Sequence, residues 1–192
     1  MAWGRSLDDA LTLESKYVVV PFFGINFATG EVVRDSAVWR AFAQDLNRAG
    51  RQARSVGLEL GYHNHNWEFF RQLDDPSVTA YDVLTEETDP RQVHLEIDIF
   101  WAWRGAHDPV DLIRENRGRV RQFHVKDINQ AGSFTDPGVG LVDFERIFAH
   151  SREGGADEYI VERDDAGAPP RTPADALVTA EVGFEYLKSV RF

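Results

Sequence analysis

The sequence predicts an α/β fold built on parallel strands. Three observations carry this. Short β-prone runs recur about five times along 192 residues. Segments with helical spacing of apolar residues lie between most of them. The runs end in polar side chains, where the following loops begin. Strand–helix alternation implies parallel strands joined by right-handed crossovers. In such folds the loops after the strands fan around one opening, so polar strand ends mark the candidate site.

Taken in order, residues 7–15 read as the tail of a helix, with Leu7, Ala10, Leu11 and Leu13 partly periodic. Residues 16–21 form a continuous β-branched run, the signature of a strand buried on both faces. A loop over 22–34 follows, and Asp35 or Ser36 caps a helix carrying Trp39, Phe42, Ala43, Leu46, Ala49 and Ala53 before Gly57 stops it. Trp39 and Phe42 read as core. The second strand covers 58–63, and a short helix is expected around 80–84. The third strand covers 93–99. Asp108 and Pro109 supply a cap and an N1 proline ahead of Val110, Leu112 and Ile113. The fourth strand covers 120–125. A glycine-rich loop over 132–140 leads to a helix with Phe144, Ile147 and Phe148 inward and Gly154 after it. The fifth strand covers 159–162. Thr172, Pro173 and Asp175 open a last helix with Leu177, Ala180, Phe184 and Leu187 on one face.

Composition narrows the function. The hydrophobic fraction of 43% is ordinary for a globular chain and argues against wholesale disorder. Lys and Arg number 21 against 32 Asp and Glu, a formal charge of −11, which disfavours a nucleic-acid partner. With no cysteine, disulfides, zinc-thiolate sites and cysteine nucleophiles are excluded. No apolar run approaches the ~20 residues that span a bilayer, and the first residues lack an apolar signal core. A cytoplasmic protein without membrane association is the expectation.

Four strand ends deliver side chains capable of binding metal: His63, Asp98, His124 and Glu162. A single buried His or Asp beside a strand is usually a hydrogen-bonded structural residue. Four at equivalent ends of different strands point instead to one divalent ion. Two imidazoles and two carboxylates suit Mn²⁺, Co²⁺, Zn²⁺ or Fe²⁺ better than Ca²⁺. Mn²⁺ is the first expectation, with Mg²⁺ also open. His63 and His65 share a face of an extended strand, so either can be the ligand while the other meets substrate; His63, nearer the strand end, is favoured. Lys126, near a strand end, is well placed to help chemistry. Asp127, Arg163, Asp164 and Asp165 read as solvated or salt-bridged charges. Trp67, Trp101 and Trp103 stand where aromatics often wall a sugar site, although packing is the commoner role for each. The pair Gly138 and Gly140 matches no dinucleotide or phosphate loop and reads as a turn requirement. No Gly-x-Ser-x-Gly elbow is present, which disfavours a serine hydrolase.

Several segments together resemble the sugar phosphate isomerase/epimerase family, the xylose isomerase-like TIM barrels. They are residues 16–21, Gly61-Tyr-His-Asn-His-x-x-Glu68-Phe69, Glu96-Ile-Asp-Ile-Phe-Trp101, Phe123-His-Val-Lys-Asp127, residues 138–144 and Val161-Glu-Arg-Asp164. The resemblance implies a (β/α)₈ barrel whose metal is held by a glutamate, an aspartate, a histidine and a second glutamate. By position these are His63, in place of the first glutamate, then Asp98, His124 and Glu162. The resemblance then implies an acid/base pair of His63 or His65 with Glu162, catalytic roles for His65, Glu162 and Lys126, and substrate contacts for Glu68, Trp101 and Lys126. The implied activity is metal-dependent isomerisation or epimerisation of a keto-sugar or sugar derivative through an enediolate. Members with a His-rich first motif include dehydratases of inosose-like ketones, so a lyase is the alternative, and a truncated non-catalytic member is another. An endonuclease of the same superfamily fits poorly with so acidic a chain. A complete barrel needs ~250 residues. The expectation is therefore a single partial-barrel domain over 1–192 with about five strands, lacking roughly three β/α units ahead of Lys16, and a homo-oligomer that covers the open sheet edges.

Overall fold

The computed structural model describes residues 2–192. Five strands form one sheet in the order Tyr17–Val20, Glu59–His63, Val93–Asp98, Val120–Val125 and Glu158–Val161, with parallel pairing and helices between, which is the partial barrel architecture expected. The chain divides into two compact units, residues 1–96 and 97–192.

The first unit opens with helix α1 (Ala2–Thr12) and strand β1 (Tyr17–Val20). The loop after β1 holds a short antiparallel hairpin that the sequence does not announce, β2 (Ile25–Asn26) and β3 (Glu31–Val32). Helix α2 (Ser36–Ser55) is capped by Asp35, whose carboxylate accepts from the Ala37 and Val38 amides. Its apolar face buries Trp39, Ala43, Leu46 and Ala53. Removing a side chain such as Trp39 from water contributes up to about 3 kcal/mol. Phe42 lies half-buried against this core, with its ring stacked on Phe23 at 3.8 Å. Strand β4 (Glu59–His63) pairs in parallel with both β1 and β5 (Val93–Asp98). Between β4 and β5, α3 (Ala80–Glu87) runs a turn beyond the expected 80–84. Thr79 and Asp82 form a reciprocal capping box at its start.

The second unit begins where the sequence misleads. The strand expected to reach Ile99 stops at Asp98, and α4 (Ile99–Arg104) starts at once. The cause is local: the Asp98 carboxylate accepts from the Trp101 amide at 2.8 Å and so acts as an N-cap. Helix α5 (Pro109–Glu115) has the predicted Asp108 cap and N1 proline. Strand β6 (Val120–Val125) pairs with β9 (Glu158–Val161), and a small hairpin joins β7 (Asp127–Ile128) to β8 (Phe134–Thr135). The helix expected after residue 140 is broken into α6 (Phe144–Phe148), capped by Asp143, and α7 (Ser151–Gly154).

The last helix, α8 (Pro173–Ser189), opens at Thr172 and Asp175 as predicted. Its packing face corrects the expectation. Leu177 and Phe184 are 75% and 59% exposed, whereas Thr179 and Gly183 are buried. A Cβ on Gly183 would meet Val161 Cγ1 at 2.5 Å. Close approach to β9 therefore selects the small-residue stripe over the large apolar one. Among the described residues, no helix is long and apolar enough to cross a membrane.

Candidate functional site

In the first unit the site residues sit at the C-terminal end of β4. His63 is its last residue and is buried. In the parallel register it stands beside Glu96 of β5, and its Nδ1 lies 3.0 Å from Glu96 Oε1. His65 follows in the loop. Its ring meets His63 edge-on at 4.8 Å and stacks flat on Trp67 at 4.2 Å. Trp67 is anchored in turn, donating its indole N–H to the Phe23 carbonyl at 2.9 Å. The resulting stack fixes the plane of the His65 imidazole.

Glu68 has a different setting from the substrate contact expected of it. It is fully buried. One carboxylate oxygen accepts from the Tyr62 hydroxyl at 2.7 Å and the other from the His65 amide at 2.8 Å. Burial, then the charge and hydrogen bond of Glu68, hold the Tyr62 phenol well above its usual range, so it remains a donor. In this position Glu68 braces the loop that carries His65.

In the second unit Lys126 is the hub. It is buried just past the end of β6, with Nζ 2.9 Å from Asp98 Oδ2, 2.8 Å from Glu162 Oε2 and 2.6 Å from Asp164 Oδ1. Burial disfavours its ammonium. The Asp98 charge and hydrogen bonds to Asp164, Glu162 and Asp98 outweigh that, and the pKa lies above the ordinary lysine value. Glu162 shows the mirror case. Burial pushes its carboxyl up, but hydrogen bonds from His124 and Lys126, with their charges, pull it down to about 2. His124 Nδ1 is in contact with Glu162 Oε2. The second unit thus joins Asp98, Glu162 and Asp164 through Lys126, with His124 attached through Glu162, and the salt-bridged reading of Asp164 holds. Three carboxylates share one ammonium here. With imidazole nitrogen alongside, that donor set fits a divalent ion.

Trp101 is half-buried, edge-on to Phe100 at 4.9 Å and to Phe134 at 5.8 Å. Trp103 is half exposed at the far end of α4. Arg163 is salt-bridged to Asp136 and Asp165, as expected of that charge run.

Asp127 overturns its reading as a surface charge. It is fully buried, and its carboxylate accepts from the amides of Ile128, Gly138, Gly140 and Val142 at 2.8 to 3.1 Å. It clamps the glycine-rich loop beneath the site. Both glycines have a reason: Gly138 holds φ at +85°, and a Cβ on Gly140 would meet Asp127 Oδ1 at 2.3 Å. The signal in the sequence is the pairing of an acid just after a strand with glycines eleven and thirteen residues on.

The family model described as the xylose isomerase-like TIM barrel matches residues 2–186. An inosose dehydratase from Geobacillus kaustophilus is 31% identical over 157 residues, covering 71% of this chain and 49% of the relative. A second, from Lacticaseibacillus casei, is 29% identical over 153 residues, covering 69% of this chain and 50% of the relative. The chain spans about half the length of the curated relatives it matches. The crystal structure of a sugar phosphate isomerase/epimerase from Parabacteroides distasonis aligns with a TM-score of 0.80 at 25% identity, over 98% of this chain and 64% of that one.

Proposed function

The chain belongs to the xylose isomerase-like TIM barrel family, and from that premise we propose that it moves a proton beside the carbonyl of a polyhydroxylated ketone, with a divalent metal as cofactor. The observation that carries this reading is the buried Lys126 ion-pair hub, where three carboxylates share one ammonium. The proposed ligands are His63, Asp98, His124 and Glu162. Mn²⁺ is the favoured ion.

When bound, the ion supplies Lewis-acid polarisation of the substrate carbonyl. The remaining work falls to the chain's own side chains. An imidazole is a base suited to neutral pH, so His65, held flat on Trp67, takes the proton from the carbon beside the carbonyl. Lys126 is a fixed ammonium and so serves as a donor to developing negative charge, not as a base. Glu162 is the second acid/base group of this reading.

For the net reaction we favour loss of water from a cyclic keto-polyol of the inosose type, supported by the curated relatives at about 30% identity. Epimerisation or isomerisation of a keto-sugar is the second reading, supported by the Parabacteroides distasonis structure. Incubation with Mn²⁺ and an inosose in D₂O separates them. Release of water with a new unsaturated ketone supports the first, and deuterium in recovered sugar the second. Neither outcome, with any cyclic ketone or ketose, refutes enolisation. In the same preparation His124→Ala is expected to lower bound Mn²⁺ from about one equivalent to near zero; unchanged content by elemental analysis removes His124 from the ligand set.

A further inference from the structure

We propose that Glu96 is a positioning residue for His63. This rests on the reading of His63 as a metal ligand and deepens it. Strand β5 is buried along its whole length, with Val93, Leu95 and Ile97 on one face and His94, Glu96 and Asp98 on the other. A carboxylate in such a setting costs free energy unless it is hydrogen-bonded. Parallel pairing puts Glu96 directly beside His63, and its Oε1 lies 3.0 Å from His63 Nδ1, with each side chain only 5% exposed.

The proposal gives that bond a direction. With the Glu96 carboxylate accepting, His63 Nδ1 carries the hydrogen and Nε2 is the nitrogen left to bind metal. This is the arrangement by which a carboxylate selects the tautomer of a ligating histidine, sets its ring orientation and raises its basicity. Glu96 therefore acts through His63 and need not touch substrate.

Co²⁺ alone, titrated into the full 192-residue chain with a competing chelator and followed by its visible absorption, tests this. Glu96→Leu is expected to weaken Co²⁺ binding about 10- to 100-fold and to change the absorption envelope. Glu96→Gln, which keeps an oxygen acceptor without the charge, is expected to fall between the two. In a His63→Ala background, Glu96→Leu should produce no further loss. In the metal-free protein, ¹⁵N shifts should report the Nδ1–H tautomer of His63 in the wild type and its loss in Glu96→Leu. If the leucine variant does not fold, Glu96→Gln carries the test, with wild-type affinity as the overturning result. Equal affinity in wild type and Glu96→Leu, or a loss that persists in the His63→Ala background, overturns this inference alone. A wild-type chain that binds no Co²⁺ overturns the functional reading, and this inference with it.

Discussion

Asp127→Ala is expected to lower stability by about 3–5 kcal/mol, read as a fall in Tm of about 10 °C for a chain of this length. The side chain is fully buried and accepts four backbone hydrogen bonds, three of them from residues eleven to fifteen positions away. Removing it strands those amides in a place where water has little access, and each orphaned buried donor costs about 1–3 kcal/mol before relaxation. Relaxation is limited because Gly138 and Gly140 have no side chains to fill the space. Asp127→Asn keeps the shape but replaces one acceptor with a donor facing amides, so a loss of about half that size is expected. A chemical-denaturation difference below about 1 kcal/mol for the alanine variant would show that the loop is held by something else.

Lys126→Met should have an effect of the same order, about 3–5 kcal/mol, because it removes one partner from a buried ion-pair group and leaves the others facing each other. The carboxylates of Asp98, Glu162 and Asp164 would then lack their common cation. The pH dependence of the difference between wild type and variant follows from the two shifts. The Lys126 pKa is raised on folding, so its contribution is complete below the unfolded lysine value of about 10.4 and is lost as pH rises through the folded value. The Glu162 pKa is depressed to about 2, so its contribution holds above the unfolded glutamate value and is lost as pH falls toward 2. The difference should therefore be flat between roughly pH 5 and 10 and shrink on both sides. A difference that varies steeply across neutral pH would assign the stabilisation to other groups.

Much of this architecture is legible in the sequence because β-prone runs alternate with segments whose apolar residues recur at helical spacing. The run at Val18 is continuous in apolar residues, those around Leu60, Leu95, Phe123 and Ile160 are short and β-prone, and the caps at Asp35, Asp108 and Asp175 are local chemistry that needs no tertiary context. What escapes is what depends on partners distant in sequence. Glu96 sits inside a β-prone run and shows its purpose only when His63 lies beside it. Asp127 looks like one charge in a charged strand end until Gly138 and Gly140 fold onto it. The aromatic run from Ile99 to Trp103 favours a strand by propensity, and one hydrogen bond from Asp98 turns it into a helix. In α8, counting large apolar residues picks the wrong face, because close packing on Val161 is governed by the absence of a side chain at Gly183.

The junction at Asp98 has an optical consequence. The same carboxylate that faces Lys126 also holds the first turn of α4 through the Trp101 amide, and the Trp101 indole lies edge-on to the stacked rings of Phe100 and Phe134. A ligand that draws on Asp98 must loosen or tighten that turn and change the quenching around one indole. The chain therefore contains its own fluorophore for site occupancy: titrating Mn²⁺ should shift tryptophan emission, and Trp101→Phe should abolish the shift while metal is still bound.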